Sequence, residues 1–295
     1  MFINVNWLKD KPKGDVTLEF LDDGGKLIKK FSSAAPAKKP ESRAASVEEE
    51  QQQEGGPRRG GPVARVTTDQ GLNRFEWDLR YPDAVTFPGI VLWAANVRGP
   101  LVTPGAYQVR LTAEGKTQTQ KFEVRRDPRV PTTPEQFTAQ LQTALQMRDK
   151  VSQTNQAVID IRQVREQINE LTERLEADKS GEKSRMVLEK AKSLAAELTT
   201  IEETLYQTKN RASEDPLNFP VRLNNKLAAL LSAVSQADAQ PTASQQQVYE
   251  DLATGVNAQM KKLKDVMSTS VPALNKMVKE QDVPAITIKS GEGPK

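Results

Sequence analysis

The sequence predicts an α+β chain of two domains: an antiparallel β-sandwich followed by an all-α antiparallel helical bundle with a long, coiled-coil-like hairpin. Three observations carry this. Short runs of alternating apolar and polar residues, separated by Gly and Pro turns, fill the first 130 residues. At Thr133 the apolar spacing changes abruptly to three and four. A chain of 295 residues is also long enough to bury two cores. The expected boundaries are an extended lead-in at 1–14, the sandwich at 15–130 with a disordered insertion at 33–66, the bundle at 133–281, and a flexible tail at 282–295.

The N-terminus, "MFINVNWLKDKPKGDV", lacks a basic start followed by an apolar stretch. It is expected to be an extended segment in a chain that begins within a larger architecture. Residues 15–31 then read as a β-hairpin. Val16, Leu18 and Phe20 alternate with Thr17 and Glu19, and Asp22-Asp23-Gly24-Gly25 supplies the turn. The acidic pair lacks the further ligands of a calcium loop, so a solvated turn is expected. Residues 33–66, rich in Ala, Pro, Glu, Gln, Gly and Arg, show no apolar periodicity and cannot offset their ordering entropy. Arg58-Arg59 in "GGPRRGG" is a single RGG-like copy, read as linker.

The alternation resumes in "GLNRFEWDLRYPDA", where Phe75, Trp77 and Leu79 are expected inward and Glu76, Asp78 and Arg80 outward. Tyr81-Pro82-Asp83 ends that strand. "FPGIVLWAANVRGP" follows with a Pro-Gly turn and an apolar run at Ile90–Trp93. Tyr107, Val109 and Leu111 form the next strand, and Glu114-Gly115 turns it into a partner carrying Phe122 and Val124. Pro128 and Pro131 mark the domain boundary.

In the second half, Thr133, Pro134 and Gln136 form a capping-box start. The first helix is expected from 134 to about 177, its seam interrupted at Arg148 and Asn155. After "ADKSGEK" a second helix begins near Glu182, with Val187, Ala191, Leu194, Leu198, Ile201 and Leu205 in strict four-three spacing. A third carries Leu223, Leu227, Leu230 and Val234. A fourth starts near Gln245, burying Val248, Leu252, Val256 and Leu263, with a kink or restart at Pro272. Short connections favour antiparallel neighbours.

Composition narrows the chemistry. There is no cysteine and no histidine, which excludes thiol catalysis, disulfides, Cys/His zinc sites, Ser-His-Asp triads and any histidine base. Net charge is +3, from 42 basic and 39 acidic residues, which does not call for nucleic acid. Mean hydropathy is −0.62, and no run approaches the ~20 apolar residues of a membrane span. No cofactor is implied, and a monomer is expected, because the second helix finds its partner in the first.

Glu76, Asp78 and Asp83 are close in sequence, but a glycosidase needs two carboxylates held across a pocket, and two of these lie on the outward face of a strand. Lys261, Lys262 and Lys264 form a basic cluster with Asp265 beside it and no interleaved aromatic, which reads as a solvated face. Of the tryptophans, Trp77 is in phase with the core. Trp93, in a loop-like run after Pro88-Gly89, is the one candidate ligand contact. No catalytic, metal or cofactor-binding residue is assigned.

Three stretches, "GLNRFEWDLRYPDA", "RGPLVTPGAYQVRLTAEGKTQTQKFEVRRDPRVPTT" and "FPVRLNNKLAALLSAV", resemble the C-terminal region of large bacterial β-propeller proteins. These are of the BNR-repeat, sialidase-like glycosyl hydrolase or sortilin type. The Trp-Asp strand and Pro-Gly-x-Tyr turn are also similar to the immunoglobulin-like module of the flagellar hook-capping protein. The resemblance spans most of residues 10–285. It implies an immunoglobulin-like sandwich and a secreted or periplasmic location. It also implies a non-catalytic accessory role beside a propeller domain, whose own residues are not in this chain. Two alternatives remain at this level: a carbohydrate-binding accessory module contacting sugar through Trp93, and a self-associating coiled-coil adaptor.

Overall fold

The computed structural model describes residues 2–7, 10–35, 64–177 and 181–281. Most of the expected insertion, with Arg58-Arg59, and the whole 282–295 tail lie outside the described residues. The fold is α+β, with a four-stranded antiparallel sheet and a set of helices. The chain forms two compact units. Among the described residues, the first comprises those up to Ala84 with 98–146 and 234–241, and the second those of 85–97, 147–233 and 242–281.

In the first unit, β1 (Phe2–Trp7) pairs antiparallel with β4 (Gly71–Glu76) as a two-stranded sheet. The lead-in is therefore a paired strand. β2 (Thr17–Asp22), β3 (Leu27–Ser32), β5 (Gly105–Ala113) and β6 (Lys116–Val124) form the larger sheet in the order β3-β2-β5-β6. Period-two alternation puts Val16, Leu18 and Phe20 inside at 0–1% exposure. Glu19, on the opposite face, stands directly across from Lys30 and from Arg110 and bridges both, at 3.4 and 2.7 Å.

Both sheets contribute to one apolar cluster. Phe20 stacks on Trp77 with ring centroids 4.1 Å apart, and Phe31 meets Phe75 at 4.7 Å. Tyr107 lies opposite Phe122 in register and stacks on it at 5.7 Å. Its hydroxyl, carried out of the apolar cluster, donates to the carbonyl of Thr103 at 2.6 Å. The ends of the expected insertion are held: Ser33 donates its amide to Val16, and Val66 is buried in this cluster.

The strand carrying Trp77 ends earlier than the alternation suggests. Pairing stops at Glu76, and Leu79 has φ +58°, so the chain turns out of the ladder there. Arg80 does not face solvent as expected. It is half-buried, forms a single bridge to Leu101, and donates a guanidinium hydrogen bond to the carbonyl of Gly99 at 2.8 Å.

α1 (Pro134–Ala177) starts with the expected capping box: Gln136 N donates to Thr133 Oγ1, and Thr133 N donates to Gln136 Oε1. At 1.5 Å per residue its 44 residues run roughly 66 Å. In the second unit, α2 (Gly181–Leu205) buries its whole four-three seam at 0–2% exposure. Ile161, Ile168 and Leu175 of α1, spaced by seven, belong to the same apolar cluster. Glu202 pairs with Arg162 and Arg165, and Lys192 pairs with Glu176. Numbers rise on one helix as they fall on the other, so α1 and α2 are antiparallel.

α3 (Leu223–Val234) and α4 (Ala243–Asp265) follow, then a π-helical turn (Val266–Ser270) and α5 (Val271–Glu280). The π turn ends two residues before Pro272. The Val271 amide reaches back five residues to Val266, widening the helix where the proline ring would press on the preceding turn. Val248 is not buried as expected but 46% exposed, whereas Val256 and Leu263 are buried. The reason is rotational: steps of four advance about 40° around a helix, so Val248 sits about 80° from Val256.

Candidate functional site

Residues 85–97 run between Ala84 and Arg98 without forming a strand or helix, and they pack within the second unit. Polar side chains hold them there at several points along the segment. At one end, Asn155 of α1 is fully buried where an apolar seam residue would be expected. Its Nδ2 donates to the carbonyl of Val85 at 2.7 Å, and its Oδ1 accepts from Asn224 Nδ2 at 3.3 Å. Ser152, one turn earlier, accepts the Val85 amide at 3.2 Å. Asn224 also accepts the amide of Asn225, fixing the first turn of α3.

Asn225 then reads the backbone of Trp93 on both sides. Its Oδ1 accepts the Trp93 amide at 2.6 Å, and its Nδ2 donates to the Trp93 carbonyl at 3.0 Å. An amide side chain matches a peptide unit's donor and acceptor, which is why asparagine can do this and leucine cannot.

Between these, the Tyr206 hydroxyl accepts from the Val91 amide and donates to the Gly89 carbonyl, both at 3.2 Å. Its ring meets Phe87 edge to face at 5.0 Å. The Arg162 guanidinium lies over both rings, 4.7 Å from Phe87 and 5.3 Å from Tyr206. Glu202, whose side chain is 2% exposed, accepts from Arg162 Nε at 2.7 Å and Arg165 Nη1 at 2.6 Å. A buried carboxylate with two guanidiniums has its charge compensated and its lone pairs used. The arrangement orients Arg162 against the aromatic pair and holds backbone; it leaves no open acid or base.

The candidate residues read from the sequence fall in separate places. Trp93 is 41% exposed, with its backbone pinned by Asn225. Trp77 is fully buried, and its Nε1 donates to the Arg80 carbonyl. Asp78 accepts from the Arg80 amide and pairs with Lys29 at 3.5 Å, Asp83 accepts from the Gly99 amide, and Glu76 is exposed. Each of these carboxylates has its own setting. Asp22 accepts the Lys26 amide within its hairpin turn. Lys261, Lys262 and Lys264 are exposed on α4. Among the described residues no cluster of acidic side chains is arranged to hold a metal ion, and no helix is long and apolar enough to cross a membrane.

A cleft of about 170 Å³ in the first unit is walled by Leu79, Pro104, Phe137 and Ala144, with Arg126 and Ser235 at its polar side. It is smaller than the ~300 Å³ at which drug-sized ligand pockets begin. Asn155 was visible in the sequence as a break in the seam, whereas Tyr206 and Asn224-Asn225 carried no such signal. Comparison with known proteins found no matching family model, no matching characterised protein and no matching solved structure.

Proposed function

We propose that this chain is a non-catalytic structural and interaction module belonging to the C-terminal part of a secreted propeller protein, acting by binding and spacing without turnover. One observation carries the reading. Four buried polar side chains of the second unit that surround residues 85–97 are engaged: Asn155, Asn224 and Asn225 with backbone or with one another, and Glu202 with Arg162 and Arg165. Groups committed in this way build a rigid scaffold and are not poised for proton transfer or nucleophilic attack. The propeller context rests on the sequence resemblance alone.

An immunoglobulin-like sandwich is the finer fold we assign to the first unit. Its two sheets share one aromatic cluster, and the Tyr107 hydroxyl bonds a carbonyl four residues upstream, as a tyrosine corner does. For α1 and α2 we assign a coiled-coil-like hairpin, supported by the buried four-three seam. That seam is consumed within the chain, which favours a monomer over a self-associating adaptor.

The second reading is a carbohydrate contact through Trp93, favoured by an exposed indole on a fixed backbone. Light scattering and glycan-array binding of the intact chain separate these. A monomer silent on the array is the expected result. Dimers at micromolar concentration, or array binding lost in Trp93→Ala, would replace the first reading by the adaptor or the sugar-binding one.

A further inference from the structure

We propose that the outer edge of β6 is a docking site for a β-strand of a partner protein, one that presents a basic, an apolar and an acidic residue in succession. β6 ends the order β3-β2-β5-β6 and is paired on one side only. The turn before it has two residues, Glu114 at φ +48° and Gly115 at φ +73°, the left-handed pair of a tight hairpin. Such a turn closes on a hydrogen-bonded pair, here Ala113 with Lys116, and hydrogen-bonded pairs then recur at every second residue. Lys116, Gln118, Gln120, Phe122 and Val124 therefore spend their backbone groups on β5. Thr117, Thr119, Lys121 and Glu123 direct theirs away from it. Of these outward groups the Lys121 carbonyl accepts from the Gln120 side chain at 3.3 Å, and among the described residues no other backbone takes the rest.

The two edges of this sheet differ. At β3 the register with β2 shifts between Phe20 and Leu21, and the Val66 amide donates to the Ser32 carbonyl, so that edge is irregular and partly occupied. β6 keeps nine residues in unbroken register, without proline or glycine. A regular free row of donors and acceptors at strand spacing is complementary to another extended chain.

Side chains narrow the occupant. On the inward face Phe122 meets Tyr107, Trp77 and Phe20 at centroid distances of 5.7, 6.3 and 6.4 Å. It and Val124 are nonetheless only half-buried, because β6 is the last strand of the sheet. An added strand with apolar residues opposite both completes that rim of the core. On the outward face Lys121 and Glu123 are exposed, Glu123 with Arg125 beside it at 3.1 Å. Unlike charges directly opposite favour pairing, and like charges oppose it. Antiparallel to β6, the partner therefore sets a basic residue against Glu123, an apolar one against Phe122 and an acidic one against Lys121. A second copy of β6 meets this poorly. Full overlap puts Glu123 against Thr117 and Phe122 against Gln118, whereas the register that matches Lys121 to Glu123 pairs only residues 120–124.

The inference rests on the interaction-module reading, names its partner class, and can fail alone. The probe is the peptide Ser-Val-Lys-Val-Glu-Thr-Thr-Gln-Thr, which sets Lys against Glu123, Val against Phe122 and Glu against Lys121, added to the full chain. In the free chain, hydrogen exchange is expected to alternate along β6: slow at Gln118, Gln120 and Phe122, fast at Thr117, Thr119, Lys121 and Glu123. At about 1 mM peptide the four fast amides are expected to slow about 5-fold or more. Exchanging the Lys and Glu of the peptide is expected to weaken binding about 5-fold or more. Thr119→Pro removes an outward N–H and no ladder bond, so it should keep the far-UV circular dichroism and lose the peptide's protection.

Unchanged exchange at the four amides, or equal binding of the charge-exchanged peptide, overturns the proposal on the unaltered chain, whether or not Thr119→Pro folds. Slowing that grows with protein concentration and needs no peptide makes a second copy the occupant and also overturns it. A chain that binds no strand and hydrolyses nothing leaves the module reading standing, whereas hydrolytic turnover sinks that reading whatever β6 binds.

Discussion

Gly99 has no room for a side chain. A Cβ there would stand 2.1 Å from the Tyr81 carbonyl oxygen and 2.6 Å from that of Pro82, and both are backbone atoms. Its own amide and carbonyl are tied to Asp83 and Arg80, so neither segment can slide away. Gly99→Ala is expected to lower the unfolding free energy by about 3 kcal/mol, as over-packing against backbone does. Urea denaturation measures this, and a loss under about 1 kcal/mol would mean the two segments can separate. In the sequence Gly99 was one glycine in a turn-rich stretch, and its neighbour Arg80 looked like an outward charge. What makes both specific is the crossing of residues 80–83 with 99–101, which local pattern does not encode.

At the scale of elements, period and caps were largely legible. Both ends of α1 fall where the spacing and the Thr133-Gln136 box put them. α4 carries a second capping box, Thr242 with Gln245, which moves its start ahead of Gln245. Thr242→Ala is expected to cost about 1 kcal/mol, the usual worth of an N-cap, read as a lower midpoint in chemical denaturation with the slope unchanged. No loss would mean solvent satisfies those amides equally well. Where the element reading slipped, geometry explains it. Alternation continues through Trp77 although pairing stops at Glu76, because the apolar cluster selects the side and the ladder does not. Val248 fits an i, i+4 list, but that list winds around the helix and leaves the buried stripe.

For the molecule as a whole, charge chemistry reduces to carboxylates at the acid end. The chain has no histidine, the side chain that ordinarily titrates between about pH 5 and 8. Glu19 is an acid-sensitive group of the sheet, because the hydrogen bond from Arg110 holds its carboxyl below the usual glutamate range. A depressed folded-state value stabilises fully above the unfolded value and is lost as pH falls through the folded one. The melting temperature is therefore expected to be flat from about pH 6 to 7.5 and to drop below the ordinary glutamate range. Glu19→Gln should make that acid limb shallower while lowering the plateau. An equally steep limb in the variant would assign the acid sensitivity to other carboxylates.

By itself, the sequence determined the α+β class, the change of period at Thr133, the buried seam of α2 and the absence of thiol and imidazole chemistry. These follow from residue type and short-range spacing, which fix periodicity and the available functional groups. Only the tertiary structure decided that β1 pairs with β4, that Glu202 pairs with two arginines, and that Asn155, Tyr206 and Asn225 grip residues 85–97. Those contacts join positions 37 to 132 residues apart, and hydrogen bonding at such separation depends on where the packed chain brings each polar group, which no local pattern records.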